Sequence, residues 1–212
     1  MPDLIIKPTA TSGNKLILKD QAGGAVLTTA DSGATAANVT LASTTTFPAG
    51  HVIKVYSATF DGTHSVGIND SYGNVGNGAS GELNITCDTP HSQSSKYLIF
   101  ASVCHSANNN GSLIFRLVDG SSNIISQGQA GGARIRSWMG RGHYSTGASL
   151  FNVENTSMNY LWSPNSASAQ TIKVQCSGND TVVFYINRSD DDRDADWQVR
   201  TTSSLTIMEI IG

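Results

Sequence analysis

Charge is scarce in this sequence: 14% of its 212 residues are Asp, Glu, Lys or Arg, and aromatic residues make up only 7%. Low charge beside 39% hydrophobic residues excludes the disordered class, which combines high net charge with little apolar surface. The net charge of −3 leaves no basic footprint, so nucleic acid is not an expected partner. Cysteine occurs three times, at Cys87, Cys104 and Cys176, with no C-x-x-C pair, which argues against a zinc site. Cys87 falls in phase with Leu83 and Ile85, and Cys176 with Ile172 and Val174, so these thiols read as small buried hydrophobes. No apolar run approaches the about 20 residues of a membrane span. The opening Met1–Pro8 has neither the apolar core nor the basic leader of a signal peptide, so the expected product is soluble, made without export and not membrane-inserted.

Catalytic signatures are missing too. The five histidines, His51, His64, His91, His105 and His143, are scattered, and there is no Gly-x-Ser-x-Gly or His-x-x-Glu-His. Gly73, Gly76 and Gly78 lack the spacing of a phosphate loop and precede no helix. Binding rather than turnover is the expectation, with no cofactor. Carboxylates paired across the fold could still serve a glycan-cleaving enzyme, because they need not be close in sequence.

What the chain does contain is 21 glycines among tracts of Ser, Thr, Asn and Ala, which disfavour helix and suit half-exposed strands. The expectation is all-β. Residues 1–50 hold only short aliphatic clusters, Leu4-Ile5-Ile6, Leu16-Ile17-Leu18, Ala25-Val26-Leu27 and Val39-Thr40-Leu41, too few for an independent core. They read as a short β-rich attachment or shaft segment, stabilised by copies of itself or by docking on a larger body. The spacer Phe47-Pro48-Ala49-Gly50 marks a boundary, and 51–212 reads as a head domain. There, strands are expected at Val52–Phe60, around Leu83–Cys87, at Tyr97–Cys104 (apolar on both faces), around Leu113–Leu117, at Ala148–Asn155, Thr171–Cys176, Thr181–Asn187 and the C-terminus. Asn69–Ser80 and Gly128–Gly142 read as loops, and the strands flanking Ala107–Gly111 as a hairpin. About eight strands separated by polar loops suggest a jelly-roll β-sandwich.

Several segments also stand in an order with a likeness. Thr40-Leu41-Ala42-Ser43 precedes Phe47-Pro48-Ala49-Gly50-His51-Val52-Ile53, and Ser94-Ser95-Lys96-Tyr97-Leu98-Ile99 follows. Then come Leu161-Trp162-Ser163-Pro164, Ala167 through Gln175, Val183 through Ser189, and Leu205 through Ile210. The set, over roughly residues 38–212, resembles the C-terminal domain of tail-fibre-like proteins of marine bacteriophages, and Lys15 through Gly24 resembles their N-terminal repeats. The resemblance implies a trimeric jelly roll ending a fibre. The chain would then be a virion structural protein, made in the host cytoplasm and exposed on the released particle. Other virion proteins would hold its N-terminal segment, and a host-surface glycan would be a possible receptor. The chain carries no long shaft and no recognisable anchoring domain, so a capsid decoration or head-fibre protein is an alternative; a polysaccharide-cleaving tail spike is a further one.

Two clusters are candidate sites. Arg134, Arg136, Arg141 and His143, with Trp138 and Tyr144, form the one cationic, aromatic-rich group, suited to phosphate, carboxylate and sugar faces. Against this stands a long loop packed on a neighbouring subunit through Trp138. Asp192, Asp194 and Asp196 have the alternate spacing of the first ligands in a calcium loop. Trp197 at the sixth position and Ser203 at the twelfth depart from that pattern, so a solvated loop is the stronger reading.

Overall fold

The computed structural model describes residues 16–19, 21–30, 33–36, 48–66, 71–76, 81–107, 111–132, 134, 136–141, 152–178 and 183–212. The chain divides into two compact units, Met1–Thr46 and Phe47–Gly212. The first contains a three-stranded antiparallel meander of β1 (Ile17–Lys19), β2 (Ala25–Ala30) and β3 (Gly33–Ala36). Gly23, at φ 88°, supplies the left-handed residue that the turn from β1 to β2 needs. Ile17 and Leu18, neighbours on opposite faces of β1, are both exposed. The expected clusters at Leu4–Ile6 and Val39–Leu41 lie outside the described residues.

The second unit runs β4 (Val52–Phe60), β5 (His64–Val66), β6 (Gly73–Asn74), β7 (Asn84–Cys87), β8 (Lys96–Ala107) and β9 (Leu113–Asp119). It continues through β10 (Ile124–Ser126), β11 (Met139–Arg141), β12 (Glu154–Trp162), β13 (Gln170–Gly178), β14 (Phe184–Ile186) and β15 (Ser203–Ile210). The first sheet follows β4-β15-β8, with β12 along the other edge of β8. Strand β15 leaves β8 at Ser102, and β14, carrying β5, pairs with the same edge from His105 onward. The second sheet places β10 and β11 on one edge of β9, β13 on its other edge, and β6 and β7 beyond β13. Every pairing is antiparallel. The protein is all-β, and its second unit is a β-sandwich.

One core lies between the two sheets. The first sheet turns in Tyr97, Ile99, Ala101, Val103, Phe184, Ile186, Leu205 and Ile207, and the second turns in Leu113, Phe115, Leu117, Ile172, Val174 and Cys176. Full burial of each large aliphatic or aromatic side chain contributes about 1.5–3 kcal/mol relative to exposure. His105 is buried among them, its ring 5.7 Å from that of Phe115 and its Nε2 2.7 Å from Thr156 Oγ1. Cys87 and Cys176 are buried, and burial pushes both thiols up to about 12.

Four expectations differ from the structure. Strand β8 is covered on one face only: Tyr97, Ile99, Ala101 and Val103 are buried, while Phe100 on the other face is 40% exposed. The strands flanking Ala107–Gly111 form no hairpin, because β8 and β9 belong to different sheets. The strand expected at Ala148–Asn155 is β12, displaced toward Trp162. Its inward set Thr156, Met158, Tyr160, Trp162 turns apolar only halfway, so polar composition hid the alternation. The expected loops at Asn69–Ser80 and Gly128–Gly142 contain the short strands β6 and β11. Among the described residues no helix is long and apolar enough to cross a membrane.

Candidate binding loops

The arginine-rich segment between β10 and β11 is used in part as scaffold. Arg136 donates from Nε to Gly128 O at 2.9 Å, and its own carbonyl accepts from Tyr72 Oη at 2.9 Å. With the Gln127 amide oriented to face it, the same guanidinium also donates to Gln127 Oε1 at 3.1 and 3.2 Å. Arg134 is exposed and donates to Gly131 O at 3.3 Å. Trp138 packs against the core of its own sandwich, edge-on to Tyr160 with ring centroids 6.2 Å apart. Arg141 pairs through its backbone with Leu113, and His143 and Tyr144 lie outside the described residues. The expected receptor cluster is therefore not assembled among the described side chains: one arginine closes its own loop and the tryptophan is packing.

Beneath this segment a polar row crosses the second sheet. Arg116 Nε donates to Gln175 Oε1 at 2.9 Å, and Gln175 Nε2 donates to Asn74 Oδ1 at 2.9 Å. The Tyr72 ring caps the Arg116 guanidinium at 3.8 Å. Burial raises the Tyr72 phenol pKa against the opposing pull of Arg116, and burial lowers that of Arg116.

The other candidate lies in the connection from β14 to β15. Asp192, at φ 42°, accepts a two-pronged pair from Arg200, Nε to Oδ1 at 2.7 Å and Nη2 to Oδ2 at 2.8 Å. Arg188 stands 3.9 Å from the same carboxylate and lays its guanidinium 3.9 Å over the Tyr185 ring. Arg193 Nε approaches Asp191 Oδ2 to 2.7 Å, yet among the described residues that oxygen has no aligned hydrogen bond, so the contact is a charge pair without hydrogen-bond geometry. Ser189 Oγ donates to Gln198 Oε1. Asp192, Arg193, Asp194, Ala195, Gln198, Val199 and Arg200 line a groove of about 400 Å³. Trp197, one residue from the groove wall, is 62% exposed.

For the calcium reading, Asp192 is already matched by guanidinium groups and Asp194 and Asp196 are exposed. Among the described residues no three His, Cys, Asp or Glu side chains converge as metal ligands. What sequence reasoning overlooked is the partnership of Arg200 and Gln198 with this loop and the exposure of Trp197. The available signal was a tryptophan set between Asp196 and Gln198 in a stretch rich in charged residues. No protein-family model and no curated protein matches this chain.

Proposed function

We propose that the chain is a non-enzymatic structural protein of a bacteriophage particle: a homotrimeric tail fibre whose sandwich forms a jelly-roll head for host-surface binding. Residues 1–50 attach the head to other virion proteins. The observation that carries receptor binding is the β14–β15 groove with Trp197 exposed beside it. Guanidinium–carboxylate pairs that fix each other present hydrogen-bonding edges to sugar hydroxyls, and an exposed aromatic offers a face to the apolar side of a ring. The strand order supports the jelly roll. β4-β15-β8-β12 in one layer opposes β7-β13-β9-β10 in the other, and the chain passes from layer to layer through β4, β7, β8 and β9 and again through β12, β13 and β15. Weak groove contacts suit a multivalent particle, because several sites engaged together raise the effective affinity by orders of magnitude.

The experiment is a glycan array probed with the full-length chain and with Trp197→Ala. Binding to bacterial surface saccharides that the substitution weakens supports the fibre reading. Release of reducing ends from those saccharides would replace it with a cleaving spike. Absence of binding, with antibody label on the capsid, would replace it with a decoration or head-fibre protein.

A further inference from the structure

The outward face of the first sheet is unusual for its lack of charge. Strand pairing sets its side chains in rows across β4, β15, β8 and β12: Val55–Met208–Leu98–Leu161, then Ser57–Thr206–Phe100–Asn159, then Thr59–Ser204–Ser102–Ser157. Val55 is 60% exposed and Leu161 50%, at opposite ends of the apolar row. Val52, opposite Ile210 at the end of the same sheet, is exposed as well. Beside the apolar row, Phe100, Ser102, Ser157, Asn159, Ser204 and Thr206 border a depression of about 290 Å³. Among the outward positions of these four strands, Lys96 alone is charged, and it sits at the end of β8. Interface cores are depleted of charge in this way, whereas a solvated sheet face carries charge interspersed with its polar residues.

We propose that this face is where copies of the chain meet, with the apolar row as the centre of the contact and the hydroxyl and amide rows as its rim. The charge pattern selects the occupant. A face without carboxylates, and with its one cation at the margin, can be buried against the other copies around a threefold axis with no like-charge row and no buried unpaired ion. A basic or acidic partner would find nothing to pair with. The apolar row standing beside a depression gives each copy both a ridge and a recess. The inference rests on the self-association assumed in the fibre reading and adds the surface that performs it.

The test is the absolute mass in solution of the full-length chain and of Val55→Glu/Leu161→Glu. Both positions are half or more exposed, so the double variant keeps the monomer fold, checked by near-ultraviolet circular dichroism. The control is Ile124→Glu, an exposed position in the second sheet. The expected result is a multimer of the 22.3 kDa chain whose dissociation constant rises more than about 100-fold in the double variant and holds in the control. If the double variant misfolds, alkylation of wild-type Cys104, which projects from this face, replaces it and must slow as protein concentration rises. A multimer untouched by the double variant, or Cys104 alkylation independent of concentration, overturns the interface while leaving the fibre reading standing. A wild-type monomer overturns the interface together with the homotrimer. The glycan array then judges receptor binding alone.

Discussion

At the scale of single residues, Asn187 does more structural work than any neighbour suggests. It is fully buried at φ 61°, a left-handed conformation that asparagine tolerates better than most side chains. Its Nδ2 donates to Phe60 O at 2.7 Å and Gly62 O at 2.9 Å, and its Oδ1 accepts from Ser203 Oγ at 2.7 Å. Ser203 Oγ in turn accepts from the Cys104 amide at 3.1 Å. The group therefore fills the point where β15 leaves the edge of β8 and β14 takes over. Asn187→Ala removes these side-chain bonds and leaves at positive φ a residue that tolerates it less well than asparagine, so urea unfolding should register a loss on the order of 3 kcal/mol. Asn187→Gly, relieved of the backbone strain, should lose less.

His64 works by a different route. Its Nδ1 accepts from the Gly76 amide at 3.2 Å, so the ring is held neutral with its proton on Nε2. Gly76 has φ 84°, and a Cβ there would stand 2.6 Å from Gly81 O, so the donor's position admits glycine alone. Burial lowers the His64 pKa below the ordinary 6.5. The unfolded chain then binds the proton more readily than the folded one. The contribution is complete above about pH 6.5 and is lost as pH falls from there through the lower folded value. Wild type should lose stability between pH 7.5 and 5.5 relative to His64→Gln; parallel pH curves for the two would disprove the assignment.

Among the elements, β15 decides the integrity of the first sheet because it lies between β4 and β8. Its inward row is not wholly apolar. Glu209 is buried between Lys54 and Tyr97, its Oε1 accepting from the His91 amide at 2.6 Å, while Glu209 Oε2 and the Tyr97 and Tyr56 hydroxyls have no hydrogen-bond partner among the described residues. Burial, followed by Glu209, raises the Tyr97 phenol, and burial raises that of Tyr56. Glu209→Gln keeps the acceptor for His91 and removes a buried charge, so its stability should fall within about 1 kcal/mol of wild type. Glu209→Ala deletes that acceptor and should cost about 2 kcal/mol in the same chemical denaturation. Equal losses in both variants would mean that the charge, not the hydrogen bond, matters here.

These strands also show what was legible beforehand. Leu205 and Ile207 against Thr206 and Met208 announce β15 by period alone, and Leu83, Ile85 and Cys87 announce the flank of β7. What composition concealed was β12, whose inward face begins polar, and the layer change after β8. Pairing partners depend on contacts far apart in sequence, which a local pattern does not carry.

For the whole molecule, the same limit governed the candidate sites. Arginines 134 and 136 look like a binding cluster because they are close in sequence, yet the fold spends Arg136 on its own loop and buries much of Trp138. The uncharged face is invisible in sequence, because it appears only when every second residue of four separated strands is brought side by side. Its chemistry fixes the last expectation. An interface built from Val55, Leu98, Leu161, Met208 and rows of hydroxyls has no ion pairs for salt to screen, whatever the Debye length. Raising sodium chloride from 50 mM to 0.5 M should leave the mass in solution unchanged, a range over which exposed charge pairs lose most of their attraction. Sulfate, which strengthens apolar burial by its exclusion from protein surface, should tighten the assembly. Dissociation by sodium chloride would instead place the contact among charged loops such as Asp190–Arg200, and the uncharged sheet would have to be solvent-facing after all.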